Sequence, residues 1–149
     1  MIAIRTAFEE GFGVAPAVLL ENRTGHFVQD GASIARFWIC LLSSAPDLAE
    51  DSGIVLDIQQ LYTVTRNRFL QDLGELPMDA LQAFHVHAKH HAPAPDDPIP
   101  WRVVFSFIDR IDRPVLINPE VHHLGQVKAT IAFCRAMLAR CDTGASSAQ

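Results

Sequence analysis

Four residues whose side chains can hold a cation or move a proton recur along the chain at nearly even intervals: Glu21, Asp57, His87 and Glu120, separated by 36, 30 and 33 residues. Each falls at or near the end of an apolar run: PAVLLEN (16 to 22), GIVLDIQQLY (53 to 62), LQAFHVHAK (81 to 89) and RPVLINPEV (113 to 121). Three carboxylates brought together repel one another unless a cation sits among them. Two Glu, one Asp and one His form an oxygen-rich mixed donor set suited to Mn²⁺, Mg²⁺, Fe²⁺ or Zn²⁺. Around this set lie reserves: His85 alternates onto the same face as His87, and His122 shares the face of Glu120 if that strand persists. His90, His91 and Lys89 read as solvated loop residues.

The intervals match one strand-helix unit each, which returns the chain to the same edge of a sheet about every 30 residues or more. Residues 3 to 13 read as a helix carrying Ile4, Ala7, Phe8 and Phe12, closed by Gly11 and Gly13. The first apolar run follows as a strand, and DGASIARFWICLLSSAP as a helix with Ser33 as its N-cap. After the second run, RNRFLQDL supplies a short helix and Pro77 a turn into the third strand. The Pro-rich APAPDDPIP is a loop, WRVVFSFIDRI the helix that returns the chain to the fourth strand, and a final helix spans 124 to 140 with Val127, Ile131, Cys134 and Leu138 in period. Strand alternating with helix four times implies parallel pairing, an α/β fold of four βα units. Residues 1–142 form one domain by this reading and 143–149 a disordered tail. A complete (β/α)8 barrel of roughly 250 residues would need twice as many units, so the pattern corresponds to half of one. At the C-terminal edge of such strands the loops surround a concave space, where ligands bind.

Composition narrows the function classes. With 12 Lys and Arg against 17 Asp and Glu, a net charge of −5 and no basic run, the chain offers no general attraction for nucleic acid. No apolar run approaches the roughly 20 residues of a membrane span, and the N-terminus lacks the features of a signal peptide, so a cytoplasmic location is expected. Cys40, Cys134 and Cys141 are odd in number and form no CxxC pair, which argues against a disulfide framework and a cysteine zinc site; Cys40 and Cys134 are expected to pack as small hydrophobes. Asn22-Arg23-Thr24 matches a glycosylation sequon by accident of composition. Phe37, Trp38 and Trp101 fall at helical spacing and are expected to pack on the sheet. GxGxxG, Walker, GxSxG and HExxH patterns are absent, leaving nucleotide-cofactor and serine-hydrolase chemistry without support.

VLLENRTG, GIVLDIQQLY, FHVHAKHH and VLINPEV, in this order and spacing, resemble the last four strands of the xylose isomerase-like TIM barrels, a superfamily of sugar isomerases and epimerases, apurinic endonucleases and, more distantly, multinuclear non-haem iron oxidative enzymes. The resemblance implies that Glu21, Asp57, His87 and Glu120 are the metal ligands, that Glu21 and Glu120 also shuttle a proton next to a carbonyl, and that the substrate is a small carbonyl or sugar. The substrate-binding positions differ: Gln60 stands where a His is common in sugar epimerases and endonucleases, and Pro93 where epimerases often carry an Arg. Relation to the half-barrel also implies a partner, either a second copy in a homodimer or a missing N-terminal half. Two other readings stand beside this one: a truncated, non-catalytic half-barrel serving as a dimerisation or interaction module, and an iron-dependent oxidative enzyme.

Overall fold

The structure, a computed structural model, describes residues 2–145. Its elements run α1 (Ile2–Phe12), β1 (Val18–Glu21), α2 (Gly31–Ser44), α3 (Pro46–Glu50), β2 (Ser52–Asp57), α4 (Ile58–Thr65), α5 (Phe69–Gly74), β3 (Leu81–Val86), α6 (Trp101–Asp109), β4 (Leu116–Pro119) and α7 (Leu124–Ala145). The four strands form one sheet in chain order, every pair parallel, with helices between them. This is the α/β fold of four βα units that the alternation predicts.

The two faces of the sheet differ. Ile54, Leu56, Phe84 and Val86 point to the helix side and are fully buried with Ile34, Leu61, Val104 and Phe105. Each such side chain contributes roughly 1.5–3 kcal/mol by leaving water. On the opposite face lie Glu21, Val55, Asp57, Ala83, His85, Leu116 and Asn118, aligned by the register Glu21↔Val55, Asp57↔His85 and His85↔Asn118. Leu116 remains 64% exposed there. Beyond the sheet, α1 also presents Ile4, Phe8 and Phe12 to solvent and is tied down by the Arg5–Asp51 ion pair.

Several boundaries differ from the periodicity, for local reasons. The run GIVLDIQQLY is half strand and half helix, because the Asp57 carboxylate accepts the Gln60 amide (2.9 Å) and starts α4 without a loop. Helix α2 is capped by Asp30, not Ser33. Asp30 Oδ1 accepts the Ser33 amide (2.8 Å) while the Ser33 hydroxyl accepts the Asp30 amide (3.0 Å), a reciprocal capping box with Ser33 at its third position. Gly31 follows because a Cβ there would lie 2.2 Å from the Asp72 carbonyl oxygen of α5. Helix α7 extends to Ala145, past the predicted Arg140; residues 146–149, the rest of the expected tail, lie outside the described residues. Its buried face is Thr130, Cys134 and Met137, whereas Ile131 is 38% exposed.

Cys134 is buried and desolvation pushes its thiol up to about 11, which keeps it an inert hydrophobe. Cys40, expected to pack likewise, is exposed on α2. Trp101 and Phe105 meet Phe133 edge to face between α6 and α7, in a packing role. Among the described residues no helix is long and apolar enough to cross a membrane.

Asp30→Ala is expected to lower stability by about 1 kcal/mol at neutral pH, as measured by urea unfolding. Hydrogen bonding from Ser33 holds the Asp30 carboxyl below its usual value, against a smaller opposing effect of burial. The contribution is therefore complete above the ordinary carboxylate range and fades as pH falls through the lowered folded value. The two urea midpoints should converge in acid.

Candidate metal centre

Parallel strands end on one edge, so their last inward residues meet. Glu21 ends β1, Asp57 ends β2, His87 lies one residue past β3 and Glu120 one residue past β4. The four predicted residues and the reserve His85 gather there around short contacts. His85 Nδ1 lies 3.5 Å from Glu21 Oε1 and 3.3 Å from Glu120 Oε2. His87 Nε2 lies 3.3 Å from Asp57 Oδ2 and 3.2 Å from Glu120 Oε2. Asp57 and His87 are buried, while Glu21 and Glu120 open onto a cavity of about 660 Å³ that Arg23, Phe27 and Gln60 also line.

Two sets of donors come within 4.8 Å of one another: Glu21, Asp57, His85 and Glu120, and separately His87, His90 and Glu120. The first fits a divalent cation. It holds three carboxylates and an imidazole, and both His85 Nδ1 and Glu120 Oε2 are shielded from solvent without a hydrogen-bond partner. An ion among them would satisfy these atoms and offset the repulsion of the carboxylates. The second set is less suited. The His87 and His90 rings are stacked, 4.6 Å between centroids and 5° from parallel. Their lone pairs lie in separate, parallel planes, so one ion at the roughly 2.0–2.1 Å of a metal–nitrogen bond would sit off at least one ring plane. His122, the other reserve, is exposed and stacks on His90 at 4.2 Å; it belongs to neither set among the described residues.

Asn22 is a positioning residue that the sequence reading passed over. Fully buried, it donates to the Asp57 carbonyl (3.1 Å) and accepts the Asp57 amide (2.7 Å). Its side-chain amide thus acts as one more peptide, continuing the β1–β2 ladder and fixing Asp57 relative to the adjacent Glu21. The only sequence hint was an amide directly after a strand-end carboxylate. Gln60, at the departure from the epimerase pattern, accepts the Thr24 amide (3.2 Å) and so ties the loop after β1 to α4.

The loop after β3 is tightly built. Lys89 and His90 have φ of 49° and 61°, and Ala88 and His91 exchange backbone hydrogen bonds of 2.9 and 3.0 Å around them. This is a two-residue turn of the sort that favours Asn-Gly, and positive φ at two non-glycine residues costs roughly 1–3 kcal/mol each. The exposed Lys89 donates its amide to Gln59 Oε1 (3.2 Å), and His91 lies 3.3 Å from Gln126.

Asn22→Ala would orphan two buried backbone groups, each at roughly 1–3 kcal/mol. Thermal unfolding should show that loss, and the variant should bind divalent cations more weakly than the unaltered chain by isothermal titration calorimetry.

No family model matches the chain, and no curated protein sequence matches it. Among solved structures it is similar to the apo form of 3-keto-D-glucoside 4-epimerase, YcjR, from E. coli, with a TM-score of 0.58 at 15% identity. The match covers 91% of this chain but 51% of that one, so the chain spans about half the length of the structure it matches. At that identity the likeness speaks for the fold alone: the chain is folded as four parallel βα units that match half of a barrel protein.

Proposed function

We propose that the chain is a metal-dependent enzyme domain that carries out proton transfer on a small carbonyl or sugar substrate, in the manner of sugar isomerases and epimerases. The observation that carries this reading is the convergence of Glu21, Asp57, His85 and Glu120 on one mouth, with buried atoms of His85 and Glu120 in ion-pair contact but without a hydrogen bond. Mn²⁺, Mg²⁺, Zn²⁺ or Fe²⁺ suits this donor set. When bound, such an ion polarises neighbouring carbonyl and hydroxyl oxygens and thereby acidifies the adjacent C–H.

The chain's own residues supply the rest. Glu21 and Glu120 reach the site from the two outer strands of the sheet and meet at His85 Nδ1. One carboxylate takes the proton from carbon and the other returns one, a role that needs both to face the substrate; their partial exposure to the 660 Å³ cavity supports it. Asp57, buried and bonded through both oxygens, holds position instead. The activity named for the structural neighbour, epimerisation of a keto-glucoside, is consistent with this chemistry and gives the substrate class its best support.

Leu116 is exposed on the inner face of the sheet, and among the described residues β1 and β4 are its end strands. Exposed edges and apolar faces of this kind are covered in working proteins. The reading therefore includes a second four-unit body, either another copy of the chain or further βα units of the same polypeptide, that closes the substrate space. These end strands and the exposed Leu116 also sustain the competing reading of a non-catalytic interaction module.

Elemental analysis after loading with Mn²⁺ or Zn²⁺ and removal of free ion should find near-stoichiometric metal that Glu21→Ala and Glu120→Ala abolish. Incubation of the loaded protein with keto-sugars in D₂O should place deuterium at the carbon beside the carbonyl. Absence of bound metal under every loading condition would remove the enzyme reading and leave the interaction module. Two or more irons after anaerobic purification would favour the oxidative alternative. Light scattering on the 149-residue chain should give the mass of a dimer if another copy closes the face.

A further inference from the structure

His87 holds the position that the family resemblance assigns to a metal-ligating imidazole, yet its two nitrogens are already committed. The His90 backbone amide donates to His87 Nδ1 at 3.0 Å. A nitrogen that accepts a hydrogen bond bears the lone pair, so in the neutral ring the proton resides on Nε2. That nitrogen lies 3.3 Å from Asp57 Oδ2 in hydrogen-bonding geometry, with Glu120 Oε2 at 3.2 Å beside it. Ligation through Nε2 would require moving the proton to Nδ1, against the His90 N–H. Ligation through Nδ1 would require breaking the His90 bond itself.

The turn that delivers this amide is the one with Lys89 and His90 at positive φ. His90 is further held by its carbonyl, which accepts the His122 amide at 3.1 Å, and by ring stacking on both His87 and His122. The backbone strain thus places a donor against His87 Nδ1. His85 is in the opposite situation. Its Nδ1 is buried, has no hydrogen-bond partner, and faces Glu21 and Glu120.

We infer that His85, through Nδ1, is the imidazole that takes the cation, and that His87 is a positioning residue: the Lys89–His90 turn fixes it as the Nε2–H tautomer, which donates to Asp57 and holds that carboxylate toward the site. Asp57 is then oriented from three sides, by His87 at Oδ2, by the Gln60 amide at Oδ1 and by Asn22 at its backbone. Partners of this kind orient ligands, and their loss weakens metal binding by about 10–100-fold. The assignment rests on the cation reading above for its ligand half; the tautomer half stands without any metal.

The test uses the full chain with ¹⁵N-labelled histidine. In metal-free protein the ¹⁵N shifts should show His87 protonated at Nε2 and bare at Nδ1. On titration with ¹¹³Cd²⁺ alone, cadmium–nitrogen coupling should appear at His85 Nδ1 and be absent from His87. His85→Ala should abolish binding. His87→Ala should weaken it by about 10–100-fold, and His87→Gln, whose amide N–H can stand near the place of Nε2–H, should recover most of that loss. Coupling to either His87 nitrogen, a protonated His87 Nδ1, or a His87→Gln variant as weak as His87→Ala would overturn the inference. If cadmium fails to bind the unaltered chain, the metal reading falls with the His85 assignment, while the metal-free spectrum still decides the tautomer.

Discussion

The site depends on one property of parallel pairing: every strand runs to the same edge, and alternate residues on all four strands share a face. In this chain that places Glu21, Asp57, His85 and Asn118 on the inner face, with His87 and Glu120 continuing the same alternation past the strand ends. An antiparallel sheet of the same residues would send alternate strand ends to opposite edges and divide the set. The helices enforce the arrangement from the other side, because Ile54, Leu56, Phe84 and Val86 are buried against them. A slip of one residue in β2 would turn Asp57 toward the helices and Ile54 and Leu56 away from them.

Given this placement, the difficulty is electrostatic. The mouth gathers three carboxylates, and protein donors meet them unevenly. Asp57 is satisfied through the Gln60 amide and His87, whereas Glu120 Oε2 is shielded from water without a matched donor. A folded structure tolerates an uncompensated polar atom where something else completes it. Hydrogen bonding therefore separates the settled Asp57 from the unsettled Glu120 and His85 more sharply than distance alone.

Much of this was legible in the sequence, because strand-end acids at regular spacing carry both topology and chemistry. Glu21, Asp57 and Glu120 could be picked out as charged residues at the ends of apolar runs, and four such runs imply the parallel half-barrel. The different hydrogen bonding of His85 and His87 could not. Both lie on one face two residues apart, and what distinguishes them is a backbone amide delivered by a turn whose residues, Lys89 and His90, are not those that turn chemistry favours. Asn22 escaped for a similar reason, since an asparagine that substitutes for a peptide group looks like any loop asparagine until the neighbouring strand is in place. The cap of α2 was misplaced: Ser33 was expected to hold it, whereas Asp30 does, and the reciprocal bonds that decide between them are not revealed by composition.

The buried Asn22 has a consequence outside the site. It is the first residue of an Asn-Arg-Thr sequon, and a glycan on its amide nitrogen would occupy the space of the Asp57 carbonyl that this nitrogen contacts. In a glycosylating secretory host, sugar transfer and folding would compete for the same atom, and a modified chain could not close the β1–β2 edge. Bacterial or cytosolic expression avoids that contest, so the choice of host bears directly on whether the protein recovered is folded.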